Sequence, residues 1–458
     1  MGNKWATVSI DDIKLPEKYS CVGGPFGSSL SQKHYVDSGV PVIRGTNLAG
    51  DIFSESDFVF VSPDKANELQ RNMAFRGDIV FTQRGTLGQV ALIPEDSLYE
   101  KYIVSQSQMK LTVNPKQADA YFIYTYFRTN EAKALIENNA IIGGVPHINL
   151  GILKEFKLRL PPLSEQKRIS EVSKSIDNKI NLNRQINQTL EQMSQTLFKS
   201  WFVDFDPVID NALDAGNPIP EALQSRAELR QKVRNSADFK PLPADIRALF
   251  PAEFEETELG WVPKGWCFKN LSSIYLCLDS KRIPLSKQER CQKQPGNIPY
   301  YGATSVMDYI NEYIFDDILL LVGEDGSVIK DDNTPFIQYI WGKTWVNNHA
   351  HVLKGKDNIS TEQLMLFMSQ CNISAFVTGA VQMKINQKNM GSIQFLKAPD
   401  SINAAFNELI VPFFQKLRAT KEQLSDLINL RDTLLPKLIS GELSLEDLPD
   451  LVTQTEPA

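Results

Sequence analysis

The stretch from Gly143 to Ile169 reads GGVPHINLGILKEFKLRLPPLSEQKRI and decides the fold, because it joins a globular segment to a long helix. A second joint of the same kind, from Gly379 to Phe406, reads GAVQMKINQKNMGSIQFLKAPDSINAAF. Ile148-Asn149 in the first joint matches Ile385-Asn386 in the second, a shift of 237 residues. A shift of about half the chain indicates two similar modules rather than a solenoid of short repeats.

Each module mixes short strand signals with one helix signal. In the first module, strands near residues 40–43 and 78–81 are separated by glycine-containing turns, and a helix is expected over residues 118–138. The second module repeats this order, with residues 315–320 aligned to residues 76–81 and a helix expected over residues 361–370. The pattern predicts two α+β modules with mostly β cores, in which a shared framework carries different loop residues.

A long helix is expected to follow the first module. After Pro161-Pro162, Ser164 and Glu165 favour a helix start, and the following proline-free run extends to about Phe202. Apolar residues recur in this run with the spacing of a coiled coil. The residues predicted to pair are Ile169, Val172, Ile176, Asn183, Ile186, Leu190, Met193 and Leu197. A buried Asn183 would cost stability and would fix the register of the pair.

A second long helix is expected after Pro399, with a similar apolar stripe. Its predicted pairing residues are Ile410, Phe413, Leu417, Leu424, Leu427, Leu434 and Leu438. Pro412 lies in the early turns of this run and is expected to kink the helix or delay its start. Pro436 is expected to bend the helix near its end.

Two arrangements of these helices are open. Each stripe could pack on its own module, or the two helices could pair with each other. The internal repeat favours an antiparallel pair, because twofold pseudo-symmetry then places one module at each end. A helix of ~38 residues is ~57 Å long at ~1.5 Å per residue, which exceeds the ~34–36 Å of one DNA turn.

The charge distribution predicts an acidic connector between neutral modules. The chain has 458 residues and a formal net charge of −7, which by itself argues against a nucleic-acid partner. Residues 1–160 and 261–400 carry net charges of 0 and +1, whereas residues 203–260 carry −6. We interpret residues 203–260 as a solvated acidic linker with a short helix near residues 219–233. Neutral modules still leave room for local basic patches.

The sequence predicts no membrane segment, secretion signal or metal site. No apolar run approaches ~20 residues, and the amino terminus lacks a charged segment followed by an apolar stretch. The five scattered cysteines contain no C-x-x-C pair and indicate reduced thiols. His349 and His351 are expected to share one face of a strand, where a polar surface or a DNA contact is favoured over a metal site.

Motifs for catalysis on nucleic acids are absent from the sequence. It contains no N-P-P-[FY] or D-P-P-Y stretch of amino-methyltransferases and no G-x-x-x-x-G-K-[ST] phosphate loop. The residues 323–327, GEDGS, are interpreted as a tight turn. The chain is therefore expected to bind rather than to catalyse, and no catalytic residue is assigned.

Several ordered stretches resemble conserved segments of one family. Leu160 to Ile169, LPPLSEQKRI, resembles the entry to the central helix of specificity subunits of type I restriction–modification enzymes, and residues 198–208, FKSWFVDFDPV, continue this likeness. Residues 249–266 resemble the entry to the second target-recognition domain of these subunits, and residues 430–447 resemble their C-terminal segment. Together with the internal repeat, the resemblance spans nearly the whole chain.

The resemblance implies an order of domains and a set of partners. The order is a first target-recognition domain at residues 1–160, a central coiled-coil helix at 161–202, the linker at 203–260, a second target-recognition domain at 261–400, a C-terminal coiled-coil helix at 401–445 and a tail at 446–458. Each target-recognition domain is then expected to read one half of an asymmetric, two-part DNA site, while the antiparallel helices set the gap between the halves.

The chemistry that the resemblance implies lies in other subunits. Two modification subunits are expected to hold S-adenosylmethionine and methylate adenine, and restriction subunits are expected to use ATP and Mg for translocation and cleavage. No cofactor is then expected in this chain, and its expected location is the cytoplasm of a bacterial or archaeal cell.

Candidate DNA contacts follow from residue chemistry alone, because loops differ too much within the family for contacts to transfer by motif. Readout in the major groove needs polar side chains such as Arg, Lys, Asn, Gln or carboxylates on exposed loops. The candidates are Arg44, Thr46, Asn47, Gln83, Arg84, Gln106, Gln108 and His147 in the first module, and Tyr301, Thr304, Glu324, Asp325, Asn347, Asn348, His349, Gln382 and Lys384 in the second. Each of them could instead be an ordinary polar residue of the surface.

Two other classes of function stay open on the sequence. An enzyme with an unfamiliar site would bind S-adenosylmethionine or a divalent metal ion by itself. A coiled-coil scaffold that joins two protein-binding domains would not retain DNA.

Overall fold

Two long helices each contribute to two separate units of the structure. The computed structural model describes residues 5–50, 52–379 and 382–447. The first unit comprises residues 1–184 and 422–458, and the second comprises residues 185–421. The central helix, Leu163–Phe202, and the C-terminal helix, Asp400–Ser440, each supply one end to each unit. Of the tail predicted at residues 446–458, only residues 446 and 447 belong to the described part.

The first unit is rich in short strands. Its strands are Ala6–Ser9, Cys21–Gly23, Tyr35–Val36, Val40–Ile43, Val59–Val61, Met73–Phe75, Ile79–Thr82, Val90–Leu92, Lys101–Val104, Gln108–Leu111 and Lys157–Leu160. Its shorter α-helices are Ile10–Ile13, Gly45–Leu48, Pro63–Glu68, Ala120–Arg128, Asn130–Asn138 and Leu150–Glu155. The single helix predicted over residues 118–138 is thus two helices. They divide at Thr129, whose extended backbone ends the first helix and whose side chain caps the second.

The second unit has a similar inventory. Its strands are Phe254–Thr257, Gly260–Pro263, Cys267–Asn270, Tyr275–Cys277, Ile298–Tyr301, Val306–Ile310, Phe315–Asp316, Leu319–Gly323, Ile337–Ile340, Lys343–Val346, Ala350–Gly355 and Gln394–Lys397. Its shorter α-helices are Asp206–Ala215, Gln224–Arg234, Ala244–Arg247, Lys287–Gln292, Thr361–Met368 and Gln387–Gly391. Within the described residues, no helix is long and apolar enough to cross a membrane.

Strand order repeats between the two units. One four-stranded sheet joins residues 21–23, 108–111, 79–82 and 90–92 in that order, and residues 275–277, 350–355, 319–323 and 337–340 form the same sheet in the second unit. A second sheet in each unit contains one parallel pair, Val40–Ile43 with Lys101–Val104 and Ile298–Tyr301 with Lys343–Val346. The prediction of two similar, mostly β modules with long helices is therefore confirmed.

The strand register corrects the sequence alignment of the repeat by two residues. Phe81 pairs with Met109 in the first unit, and Val322 pairs with His351 at the same place in the second. Val322 therefore corresponds to Phe81, whereas the sequence comparison had matched Phe81 to Leu320. Both strands are continuously apolar, so apolar pattern alone does not fix their register.

The two long helices are antiparallel. In the first unit, Ile169 and Ile176 from the start of the central helix share a buried cluster with Leu434 and Leu438 from the end of the C-terminal helix. In the second unit, residues 198–202 at the end of the central helix pack with Phe406, Ile410 and Phe414 at the start of the C-terminal helix. The same clusters contain residues of the modules, so each helix packs both on its module and on the other helix.

The buried seam of the central helix differs from the predicted one. Ile169, Ile176 and Asn183 are buried, but the second series of buried positions follows the first heptad series by four residues rather than three. These positions are Ser173, Ile180, Asn187, Ser194 and Trp201. Met193 is 47% exposed, so its prediction as a pairing residue is wrong. Apart from Asn183, the predicted stripe counted apolar residues, whereas Ser173, Asn187 and Ser194 show that small and amide side chains also fill the seam.

Both prolines of the C-terminal helix lie inside a continuous helix. The helix begins at Asp400, twelve residues before Pro412, and continues past Pro436 to Ser440. The expectation that Pro412 delays the helix start is therefore wrong. The acidic Asp400 in the first turn and the burial of Ile402 and Phe406 stabilise the turns ahead of the proline.

The segment predicted as a solvated acidic linker is largely helical and packed. Aspartates spaced by four residues on helix Asp206–Ala215 pair with arginines spaced by four on helix Gln224–Arg234. The pairs are Asp206 with Arg226, Asp210 with Arg230, and Asp214 with Arg234. Val208 and Phe250 of this segment lie in the same buried cluster as Trp201. Asp206, Asp210 and Asp214 are therefore held in internal ion pairs, which composition does not reveal, while the formal net charge of residues 203–260 stays −6.

Candidate nucleic-acid interface

Each unit presents an edge at which the end of a strand is hydrogen-bonded to a segment just before an Ile-Asn pair. In the first unit, the backbone N–H of Ile148 donates to Gln83 at 3.0 Å, and Gly85 N–H donates to Pro146 at 3.3 Å. Ile141 and His147 bond each other through both backbone groups, at 2.8 and 3.3 Å. We call residues 83–85 and 141–147 the paired edge of the first unit.

The second unit repeats this arrangement bond for bond. Ile385 N–H donates to Glu324 at 3.0 Å, and Gly326 N–H donates to Met383 at 3.1 Å. Thr378 and Lys384 bond each other through both backbone groups at 2.8 Å. We call residues 324–326, 378–379 and 382–384 the paired edge of the second unit.

Local sequence explains why both paired edges form. Gly85 and Gly326 have φ values of +105° and +77°, in the left-handed region that favours glycine. Asn149 and Asn386 then cap the next helix, since their side-chain oxygens accept from Ile152 N–H at 2.9 Å and Asn389 N–H at 2.8 Å. The backbone of each edge is therefore determined by glycine and asparagine, which leaves the other side chains free to vary.

The structure brings most first-unit candidates to one end of the sheets. Gln83 N–H donates to Ser107 O at 2.7 Å, and Arg84 forms an isolated antiparallel β-bridge with His147 through the backbone. Ser105 N–H donates to Ile43 O at 3.0 Å, next to Arg44. The exposed candidates are Thr46, Arg84 and Gln106, while Arg44, Gln83 and His147 are half-buried. Arg44 donates to Asp57 O at 2.7 Å, and Gln106 donates to Leu30 O at 2.9 Å, so both also hold loops in place.

The second-unit candidates also come together. Asn347 N–H donates to Tyr301 O at 3.1 Å, and Glu324 N–H donates to His349 O at 2.9 Å. Asp325 forms an isolated antiparallel β-bridge with Lys384 through the backbone. The exposed candidates are Thr304, Asn348, His349, Gln382 and Lys384, and the half-buried ones are Tyr301, Glu324 and Asp325. Glu324 accepts from Arg282 at 2.6 Å and is thus held by an ion pair.

Three candidates are buried and hold loops rather than face solvent. Asn47 donates to Ser54 O at 3.1 Å and to Ser56 O at 3.0 Å. The Gln108 side chain accepts from Ser105 Oγ, and Asn347 accepts from His349 N–H at 2.8 Å. Their exposures of 0, 1 and 3% leave no route to a base edge. We therefore correct their assignment from direct contacts to residues that shape the loops. The amides of Asn47 and Asn347 bond backbone groups, and that of Gln108 accepts from a neighbouring hydroxyl.

His351 does not share an exposed face with His349, as the sequence had suggested. His351 is 1% exposed and lies on strand Ala350–Gly355, whereas His349 precedes that strand and is exposed. Asp279, Glu324 and His351 form a group of three potential metal ligands whose atoms lie within 4.8 Å of one another. The Arg282 guanidinium contacts Glu324 at 2.6 Å and Asp279 at 3.4 Å, so a cationic side chain already pairs with both carboxylates of this group.

Sequence reasoning also missed apolar residues on the first paired edge. Ile141, Ile142 and Val145 are 41, 86 and 51% exposed. Apolar side chains at such positions can contact thymine methyl groups or base faces. The Gly143-Gly144 pair between them is the signal that could have marked a projecting segment.

Comparison with known proteins identifies the family. The profile described as "Type I restriction modification DNA specificity domain" matches residues 20–192 and 263–429. The Type I restriction enzyme HindI specificity subunit of Haemophilus influenzae is 26% identical over 413 residues, which cover 80% of this chain and 87% of that protein. The MjaIX specificity subunit of Methanocaldococcus jannaschii is 22% identical over 467 aligned residues, which cover 95% and 94%.

A solved structure has the same fold. The type I restriction–modification S subunit from M. genitalium superposes with a TM-score of 0.57 at 16% identity and covers 96% of each chain. The fold and the two paired edges define a protein of two similar modules on paired long helices. The chain belongs to the specificity subunits of type I restriction–modification systems, which recognise DNA sequence.

Proposed function

We propose that this chain is the non-catalytic subunit that directs a type I restriction–modification complex to an asymmetric, two-part DNA site. The first unit contacts one half of the site and the second unit contacts the other. Two modification subunits supply S-adenosylmethionine and adenine methylation, and restriction subunits supply ATP- and Mg-dependent cleavage. The chain itself acts in the cytoplasm and carries no cofactor.

The observation that carries the proposal is the repeated paired edge. Two edges with the same backbone hydrogen bonds display different polar side chains, Arg84 and His147 in one and Asp325 and Lys384 in the other. A constant scaffold with changed side chains is what two readers of different sequences need, because base identity is distinguished by donors and acceptors in the groove.

The contact set follows from exposure, with His147 and Asp325 added although they are half-buried, because their equivalents in the other paired edge, Lys384 and Arg84, are exposed. We propose direct contacts for Thr46, Arg84, Gln106 and His147 in the first unit and for Thr304, Asp325, Asn348, His349, Gln382 and Lys384 in the second. Arg44, Gln83, Tyr301 and Glu324 are half-buried and support the loops that carry these side chains. Phosphate contacts by the cationic members supply salt-dependent affinity.

Reconstitution tests the proposal. The full chain is mixed with the methyltransferase subunit of its own system and S-adenosylmethionine, and methylated adenines are mapped on a random DNA library. We expect a two-part motif that appears only when both proteins are present. Methylation by this chain alone, or the same motif from the methyltransferase alone, would contradict the proposal. Calorimetry that detects tight S-adenosylmethionine binding by the chain alone would favour an enzyme instead.

A paired insertion tests whether the helices set the gap. One heptad is inserted between residues 184 and 185 of the central helix and another between residues 421 and 422 of the C-terminal helix. Seven residues add ~10 Å, or about 3 base pairs at ~3.4 Å each, to the preferred gap. A heptad in the central helix alone is the control, because it breaks the pairing. An unchanged gap in the double insertion would rule out this role of the helices.

A further inference from the structure

Arg84 and Asp325 occupy the same position in the two paired edges. Each follows a residue whose carbonyl accepts from the isoleucine of the Ile-Asn pair, and each precedes a glycine that donates to the opposite segment. Each also forms an antiparallel β-bridge with the opposite segment through the backbone, Arg84 with His147 and Asp325 with Lys384. The repeat therefore places a cation and a carboxylate at one equivalent site.

In the first unit this position carries hydrogen-bond donors only. Arg84 is exposed, and its guanidinium forms no ion pair with the described residues. A guanidinium presents two parallel N–H donors, which match the O6 and N7 acceptors that guanine exposes in the major groove. An unpaired, exposed arginine on a fixed backbone is suited to this contact, because little has to be displaced before it binds.

In the second unit the same position carries acceptors only. Asp325 has a side-chain exposure of 19%, and its Oδ1 lies 2.7 Å from His349 Nδ1. Its Oδ2 lies 4.0 Å from Lys384 Nζ, beyond hydrogen-bond distance. That oxygen can accept from the exposed amino group of cytosine or adenine. The neighbouring Lys384 ammonium reduces the repulsion that a carboxylate meets near phosphates.

We propose that Arg84 and Asp325 are equivalent specificity-determining residues with opposite base preferences. This inference rests on the function proposed above. Arg84 selects guanine at one position of the half-site contacted by the first unit. Asp325 selects a base with an exposed amino group, cytosine or adenine, at one position of the other half-site. The shared scaffold thus carries an asymmetric specificity.

Substitution at each position tests the inference in the full chain assembled with its methyltransferase subunit. Methylation is measured on a DNA library that is degenerate across the wild-type motif. Arg84→Ala is expected to reduce discrimination at one position of one half-site by about 5- to 150-fold and to leave the other half-site unchanged. Arg84→Lys is expected to retain overall methylation and still lose that discrimination, because an ammonium lacks the planar fork. Asp325→Asn is expected to alter one position of the opposite half-site only.

Matched controls come from the far ends of neighbouring strands. Lys101→Ala changes an exposed cation at the start of strand Lys101–Val104, and Asp357→Asn changes an exposed carboxylate beyond the end of strand Ala350–Gly355. Both are expected to leave the motif unchanged.

The outcomes separate this inference from the proposed function. A wild-type complex that methylates without sequence preference removes the proposed function and the inference with it. A wild-type complex with a motif that survives Arg84→Ala and Asp325→Asn unchanged removes the inference alone. A uniform loss across all sequences assigns the residue to phosphate and also overturns it. Because an intact second half-site reports a folded complex, each variant carries its own test of folding.

Discussion

The Nδ1 atom of His351 lies 2.6 Å from Oδ2 of Asp279, inside the second unit. On the other side of the ring, Nε2 lies 2.8 Å from the backbone oxygen of Ile385. Both neighbours accept hydrogen bonds, so both ring nitrogens must donate, and the doubly protonated imidazolium fits this site. Met109 occupies the equivalent position of the first unit, so the buried charge is specific to the second.

This geometry predicts a pH-dependent stability of the second unit. Burial alone would lower the pKa of His351, but the bonds to Asp279 and Ile385 and the nearby carboxylates raise it above 6.5. Burial alone would raise the pKa of Asp279, but His351, Val352 N–H and Arg282 lower it below 3.8. The histidine therefore contributes stability that is complete below pH 6.5 and lost as the pH rises through its folded pKa. Asp279 contributes stability that is complete above pH 3.8 and is lost as the pH falls through the folded-state pKa of this aspartate.

His351→Gln is expected to destabilise the second unit by about 1–3 kcal/mol near pH 6 and to abolish the loss of stability at higher pH. Hydrogen exchange of the backbone amides of residues 350–355 at a series of pH values measures the stability of the second unit. His34→Gln, in the first unit, is the control and is expected to keep the wild-type pH profile. A variant with the wild-type profile would show that His351 is neutral in the fold.

Asn183 provides a prediction about the helix pair. It is 2% exposed, and its Nδ2 donates to Gln423 Oε1 at 3.0 Å. Asn183→Leu is expected to increase the free energy of unfolding by about 1 kcal/mol and so to raise the melting temperature. It is also expected to broaden the distribution of gap lengths in the methylated motif. Both effects follow because a buried amide pair fixes the register of the helices at a cost in stability. Gln188→Leu, at an exposed position of the same helix, is the control. A leucine variant with a lower melting temperature would contradict this prediction.

A buried carboxylate anchors the first module to the central helix. Asp177 accepts from Arg128 at 2.5 and 3.0 Å and from Tyr121 OH at 2.7 Å. Burial and the charge of Asp177 together raise the pKa of Tyr121, which keeps its hydroxyl a donor. Glu362, Arg418 and Tyr339 form a similar group in the second unit, with the carboxylate on the module and the arginine on the helix.

Asp177→Ala is therefore expected to cost about 3–5 kcal/mol, because it leaves a buried arginine without its main partner. Hydrogen exchange of helix Ala120–Arg128 should accelerate accordingly. Glu191→Ala removes a carboxylate from an exposed pair with Lys421, at 3.1 Å, and is expected to cost less than about 1 kcal/mol. Equal effects of the two substitutions would show that the first pair is effectively solvated.

The Asp–Arg ladder of residues 206–234 predicts a measurable coupling. Asp210 and Arg230 are largely buried and form two bonds, at 2.9 and 2.8 Å. A double-mutant cycle of Asp210→Ala and Arg230→Ala is expected to give a coupling energy of about 1–3 kcal/mol, measured by denaturant unfolding. The cycle of Lys264 with Glu253, an exposed pair, is the comparison and is expected to give a smaller coupling energy, because solvent screens both charges. A coupling near zero for Asp210 and Arg230 would mean that the segment is more open than the structure indicates.

The candidate site illustrates which residues a sequence can assign. Arg84, Asp325, His147 and Lys384 follow strand ends or precede the Ile-Asn pair, so local pattern predicted their place. Asn47 and Asn347 have the same chemistry and loop positions, yet their amides are consumed by nearby backbone groups. The direction in which a loop amide points depends on the conformation of its own loop, and composition does not encode that conformation one residue at a time.

The sequence by itself determined the repeat, the two long helices and the family, because heptad spacing, turn glycines and helix caps act over a few residues. Only the tertiary structure decided that Ser173 and Ser194 lie in a buried seam while Met193 does not, and that acidic residues 206–214 meet arginines twenty positions later. It also placed Arg84 and Asp325 at equivalent positions and buried His351 between Asp279 and the backbone of Ile385. Burial and pairing depend on which surfaces meet, and that is settled by the packing of segments far apart in the chain.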